Sequence, residues 1–250
     1  MKKVEWLSPD SFSLNGLLFV TSSAQKAEAR GGIYTMKSPI LLDLYNDRIV
    51  RSAPKCIVEV GCMGGGSVIF LNEYFDPEVV LMIDRENSTT PAFAKYLGTS
   101  PKASRLRPHL DVDQRDGATI LQLVDKEFSG KRPGLIIDDA SHLYEHTKTT
   151  FEYLFPLLEP AGTYIIEDWA WGNWDSPFWQ APDSPWANQH ATTNLVFQIV
   201  MASASNPKFV AGVHANYSGC TVERGADDTF VPGTPIENYY VNRGKTMTLI

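Results

Sequence analysis

From Lys55 onward, short β-branched apolar runs alternate with longer segments whose apolar residues recur at helical spacing. This rhythm predicts βαβ units feeding a mostly parallel sheet. Cys56–Val60, Val79–Asp84, Arg105–Leu110, Gly134–Asp138 and Thr163–Glu167 read as strands. Between them Ser67–Phe75, Pro91–Leu97, Ala118–Phe128 and Tyr144–Leu158 read as helices, with Gly or Pro marking their ends. After Trp169 the rhythm gives way to a Trp- and Pro-rich stretch, then to a helix at Thr193–Ala204. The runs Phe209–Val213 and Cys220–Glu223, around Asn216-Tyr217-Ser218-Gly219, predict an antiparallel hairpin. Residues 1–54 read as a helical leader or lid carrying one helix, Pro39–Ser52, behind a flexible Gly31-Gly32. With no internal repeat or low-complexity linker, residues 1–250 read as one domain.

Charge narrows the partners. A formal net charge of -7 and a pI near 5.2, with no cluster of Lys and Arg, disfavour a nucleic-acid partner and favour small acceptors. Met1-Lys2-Lys3 is basic, but Val4–Asp10 breaks any apolar signal core, and no apolar run is long enough to span a bilayer, so neither export nor a membrane is expected. Cys56, Cys62 and Cys220 lack CxxC spacing and read as buried free thiols in a reducing compartment, the cytoplasm.

Val58-Glu59-Val60-Gly61-Cys62-Met63-Gly64-Gly65-Gly66-Ser67 is a strand running into a glycine-rich turn and then a helix, which lets backbone approach a ligand. The dinucleotide pattern GxGxxG needs Gly where Met63 stands. Asp84, 23 positions after Gly61, is placed to accept from ribose hydroxyls. Asp113 and Gln114 follow the third strand where an adenine amino group could be read, although Asp113 could equally cap Ala118–Phe128. Ile136-Ile137-Asp138-Asp139-Ala140-Ser141-His142 and Ile165-Ile166-Glu167-Asp168 then bring four carboxylates to one sheet edge. Carboxylates this close repel, and a hard cation such as magnesium relieves them. Taken singly, each acid could cap a helix, with Asp139 or Ser141 serving the helix near His142. His142 and His146 form HxxxH and would share a helix face, but Leu143 stands where a zinc protease needs Glu.

Together these motifs resemble the metal-dependent class I methyltransferases, in particular the macrocin and mycinamicin sugar O-methyltransferases often labelled cephalosporin-hydroxylase-like. The resemblance covers roughly residues 30 to 225. It implies an α/β Rossmann-like class I methyltransferase fold, a mostly parallel seven-stranded sheet ending in the antiparallel hairpin. It further implies a pocket for S-adenosylmethionine lined by Glu59, Gly61, Gly65, Ser67, Asp84, Asp113 and Gln114. Asp139, Glu167 and Asp168 would hold Mg2+, or another divalent cation such as Mn2+, with His142 as general base toward the acceptor hydroxyl. The sulfonium already activates the methyl, so the protein must align the acceptor oxygen and make it nucleophilic.

The stretch after Asp168 departs from the macrolide-tailoring members. Trp169, Trp171, Trp174, Trp179 and Trp186 are five of the six tryptophans and lie within 18 positions. Trp169, Trp171 and Trp174 lead a candidate platform for a sugar, glycoside, oligosaccharide or other hydroxyl acceptor. The same residues suit a hydrophobic plug or a contact between copies of a homo-oligomer. Tyr34 and Lys37 read as a solvated linker, with folding over the cofactor as the alternative. Two rival functions stand: a nicotinamide-dependent oxidoreductase, which leaves Glu167-Asp168 unused, and a catalytically silent carbohydrate-binding protein, which has no need of His142 beside a metal.

Overall fold

The computed structural model describes residues 4–48 and 53–250. Small strands and helices open the chain: β1 (Glu5–Ser8), β2 (Ser11–Leu14), β3 (Leu17–Val20), α1 (Ala24–Ala29), β4 (Ile33–Tyr34) and α2 (Pro39–Arg48). The main unit follows as β5 (Cys56–Val60), α3 (Gly66–Phe75), β6 (Val79–Ile83), α4 (Pro91–Thr99), β7 (Leu106–His109), α5 (Gly117–Phe128), β8 (Leu135–Asp138), α6 (Tyr144–Leu154) and β9 (Thr163–Glu167). The chain closes with α7 (Pro177–Gln180), α8 (Thr193–Ser205), β10 (Val210–Ala215) and β11 (Gly219–Arg224). Each of the five predicted strands of the main unit forms, and α6 yields to a 3₁₀ turn at Phe155–Leu157, where Pro156 lacks the N–H a longer helix needs.

The main sheet has the order β10-β11-β9-β8-β5-β6-β7, parallel from β7 to β9 and antiparallel at β11 and β10, as the hairpin expectation requires. Its order reverses at β5, whose neighbours are β6 and β8, so a crevice opens beyond their carboxyl ends. Alternation assigns the faces. Val58, Val60, Ile136 and Tyr164 pack with α5, α6 and α8. Ile57, Ile137 and Ile165 face the opposite side with α2, α3 and α4. Parity therefore sends Glu59 and Glu167 toward α2 and α3, and Asp138 toward α5 and α6.

The leader differs from its helical expectation. β1 to β4 form a separate four-stranded sheet, whose Phe12 and Phe19 pack edge-on against Phe70 of α3. Leu14 pairs with Leu17 around Asn15 and Gly16, both at positive φ, the two-residue turn that matches strand twist. Gly31-Gly32 is no flexible lead-in: the two amides close the end of α1 on the carbonyls of Glu28 and Ala27. The predicted Pro39–Ser52 helix forms over Pro39–Arg48, and residues 49–52, like Met1-Lys2-Lys3, lie outside the described residues. Cys56, Cys62 and Cys220 are buried and free, and among the described residues no helix is long and apolar enough to cross a membrane.

The leader is locked against α3 at Gly66, where an added Cβ would stand 1.7 Å from the Tyr34 carbonyl oxygen. Backbone cannot yield as a side chain does, so Gly66→Ala is expected to cost about 3 kcal/mol, lowering the melting temperature by roughly 6–12 °C. Calorimetry checks this; an unchanged melting temperature would mean that the strand beside α3 is not held there.

Candidate active site

Two cavities meet at the crevice. One, of about 370 Å³, lies beyond β5, β6 and β7 and is lined by Gly61, Met63, Asp84, Asp113, Gln114 and His146 among others. The second, of about 570 Å³, is lined by Lys37, Ser67, His142, Glu167, Asp168 and four tryptophans, among others. They share Gly61, Cys62, Met63, Asp139 and Ala140. Their common wall exists because Gly61, at φ +83, lets β5 leave so close to β8 that a Cβ would meet the Asp139 oxygen at 2.3 Å.

In the first cavity Asp84 accepts the Cys62 amide at 2.7 Å and the Glu86 amide at 2.9 Å, which aims the carboxylate and leaves each oxygen a further lone pair. Gln114 is tied at both ends of its amide: its oxygen accepts the Ser141 N–H at 3.0 Å and its nitrogen donates to Thr150 at 3.1 Å. Asp113 does not cap α5; Asp116 does so through the Thr119 amide, while Arg115 grips Asp113 and holds its carboxyl below the ordinary range. Glu59 and Gly65 line neither cavity. Glu59 is wholly buried one layer below, accepting from Ser67 at 2.8 Å, and a Cβ at Gly65 would strike the Phe93 ring.

At the second cavity Asp139, His142 and Asp168 each present a ligand atom within 4.8 Å of the others, with His142 Nε2 at 4.0 Å from Asp139 Oδ1. Met63, His142 and Asp168 all adopt positive φ, a conformation that non-glycine residues rarely hold and that clusters at working sites. The His142 carbonyl accepts from the Trp171 indole at 2.6 Å and from the Thr192 hydroxyl, fixing the loop that carries the imidazole. His142 precedes α6 and His146 lies within it, so HxxxH does not share a helix face, and the two rings line different cavities. α6 starts after Leu143 with no side-chain cap; Ser141 accepts the Leu143 amide, and Asp139 stays free of capping work.

Lys37 corrects the linker expectation. Its side chain is 1% exposed, and its Nζ lies 2.7 Å from Glu167 Oε1, 3.1 Å from Asp139 Oδ2 and 3.5 Å from Glu59 Oε1. Tyr45 of α2 also donates to Glu167 Oε1. Burial acts to lower the Lys37 ammonium, but the charges of Asp139 and Glu167 outweigh it and hold the group well above its ordinary range. Burial pushes the Glu59 carboxyl up to about 7 despite Lys37, and burial with the Asp139 charge raises Asp168. On the other face burial pushes Asp138 up to about 7, where Tyr164 donates to it at 3.2 Å. No sequence signal near position 37 marks this lysine, because its partners lie 22, 102 and 130 residues away.

The tryptophans divide. Trp169 turns away from the cavity, packs on the core and donates to the Asn216 carbonyl at 2.8 Å, which removes it from the platform. Trp171, Trp174, Trp179 and Trp186 form the wall, with Trp174 stacked on Tyr217 at 5.3 Å. The Trp174 and Trp186 indole N–H groups are buried without a hydrogen-bond partner.

Residues 31–216 match the family model described as Rhamnosyl O-methyltransferase/CmcI. The chain is 30% identical over 138 residues to the 8-demethyl-8-alpha-L-rhamnosyl tetracenomycin-C 2'-O-methyltransferase of Streptomyces olivaceus, spanning 52% of this chain and 31% of that one. It is 29% identical over 113 residues to the demethylmacrocin O-methyltransferase of Streptomyces fradiae, spanning 40% and 28%. The matched region thus spans about a third of the length of these relatives. Among solved structures, the MycE methyltransferase from the mycinamycin biosynthetic pathway, in complex with Mg, SAH and mycinamycin VI, superposes with a TM-score of 0.56 at 20% identity, covering 86% of this chain and 58% of that one. TomG from Streptomyces achromogenes, an O-methyltransferase in complex with SAM, gives 0.54 at 17% identity, covering 82% and 87%. These likenesses establish a class I methyltransferase fold.

Proposed function

Because the chain belongs to the Rhamnosyl O-methyltransferase/CmcI family, we propose that it transfers the methyl group of S-adenosylmethionine to a hydroxyl of a sugar, glycoside or related natural product. The observation that carries this reading is the shared wall: a glycine-turn cavity and a carboxylate-histidine cavity meet at Gly61–Met63 and Asp139–Ala140. A donor on one side of that wall can face an acceptor on the other, which is the alignment a displacement at carbon requires.

The cofactor fits the first cavity. Asp84 offers its remaining lone pairs to ribose hydroxyls, the Gly61–Met63 turn lines the cavity, and Asp113 and Gln114 border the adenine end; Glu59 and Gly65 support the turn from behind, and Ser67, bonded to Glu59, faces the second cavity. Met63, 61% exposed and lining both cavities, stands where a dinucleotide backbone would need bare glycine, which argues against the oxidoreductase.

For the acceptor, His142 serves as general base, held by Trp171 and Thr192. We assign to Asp139, Glu167 and Asp168 the oxygen donors that a divalent cation such as Mg2+ takes: ligand atoms of Asp139 and Asp168 already converge beside His142, and Glu167 joins them on release from Lys37 and Tyr45. When bound, the cation stabilises developing negative charge on a hydroxyl oxygen. Trp174 and Trp186 offer flat faces to a sugar ring and unpaired N–H groups to its hydroxyls.

The test is a thermal shift followed by a transfer assay. S-adenosylmethionine at about 100 times its dissociation constant is expected to add ~2.7 kcal/mol of stability, and labelled methyl to appear on members of a glycoside panel in the presence of Mg2+. Stabilisation by NAD and not by S-adenosylmethionine overturns the proposal.

A further inference from the structure

The strongest feature outside the proposed chemistry is the buried ammonium among the acids. Lys37 Nζ sits in the gap between Asp139 Oδ2, at 3.1 Å, and Glu167 Oε1, at 2.7 Å. An ion bonded to these same two oxygens would take the position that the ammonium holds. With the ammonium there, Glu167 is committed to Lys37 and Tyr45, and the residues whose ligand atoms converge are Asp139, His142 and Asp168.

We propose that Lys37 and the divalent cation are alternative occupants of the Asp139–Glu167 gap, so that Lys37 sets the affinity of the site for metal. The inference rests on the metal assignment under Proposed function.

Three observations support exchange. Glu59, Asp139 and Glu167 present three carboxyl groups to a single ammonium, with Asp168 lining the same cavity, so a dication matches the charge better. Lys37 leaves Glu59 Oε1 at 3.5 Å without hydrogen-bond geometry, so the ammonium does not satisfy its own cluster. The lysine stem also has somewhere to go. The backbone is pinned at Tyr34 against Gly66, yet Lys37 lines the cavity of about 570 Å³, and four rotatable bonds let its Nζ swing there without moving the strand. The displaced ammonium would then project into the acceptor space beside His142. In the metal-free protein Lys37 keeps the carboxylates from repelling one another, which holds the site shaped before the cation arrives.

Mn2+ titration followed by electron paramagnetic resonance, on the whole protein and on Lys37→Met, tests the affinity. The variant is expected to bind Mn2+ at least about tenfold more tightly. Acetylation of wild-type Lys37, read by peptide mass spectrometry, tests displacement without a variant, and its rate is expected to rise when Mg2+ saturates the protein. Equal or weaker Mn2+ binding by Lys37→Met, or equal protection of Lys37 with and without Mg2+, overturns the exchange and leaves the metal assignment standing. Absence of Mn2+ binding in both proteins removes the metal assignment and the exchange together.

Discussion

Replacing His142 with alanine is expected to lower methyl transfer by roughly 10²–10⁴-fold while leaving S-adenosylmethionine affinity unchanged. The imidazole lines the acceptor cavity and not the glycine-turn cavity, so its loss touches the acceptor's proton and not the cofactor's seat. The backbone needs no imidazole to stay in place, because the His142 carbonyl is held by Trp171 and Thr192, although alanine is less at home than histidine at φ 57 and the variant is expected to lose a little stability. Single-turnover kinetics with cofactor titration check both halves. Unaltered turnover would exclude His142 as base, and a matching loss of cofactor affinity would make it a structural residue.

Exhaustive dialysis against EDTA is expected to reduce transfer by about 100-fold or more, with recovery on adding Mg2+, since a cation at a developing alkoxide contributes several kcal/mol. The effect is expected to be large here because Glu167 and Asp168 are raised by burial and by the Asp139 charge, so the unrelieved cluster opposes a further anion beside it. Full activity after chelation would remove the metal from the reaction and leave Lys37 as the cluster's cation. Because Lys37 steadies the apo site, chelation should abolish turnover without unfolding the chain; circular dichroism separates the two.

Much of the main sheet was legible because its strands are continuous apolar runs buried on both faces, such as Leu135–Asp138 ending in acids. The acids at the ends of β8 and β9 were legible for the same reason: nothing apolar continues past them. The leader was misread because its strands are only two to four residues long, too short for period two to stand out. A usable signal was present in Leu14-Asn15-Gly16-Leu17, whose Asn-Gly pair marks a hairpin. Lys37 was beyond reach for a different reason: a lone lysine acquires meaning only from charges that the fold brings to it. Asp116, not Asp113, caps α5 because it stands three positions before the amide of Thr119 that it accepts, while Asp113 is claimed by Arg115.

The bond from the Trp171 indole to the His142 carbonyl limits how the acceptor preference can be retooled. Position 174, whose ring leans on Trp179 and Tyr217, can be exchanged most freely to reshape the wall for a bulkier or more polar guest, while Trp179 and Trp186 also pack on Trp171. Position 171 is different, because the same ring that lines the cavity also holds the carbonyl of His142, the proposed base. Diversification in this stretch should therefore keep an N–H donor at 171, an aromatic ring at 179 and 186 to support it, and spread its variety at 174.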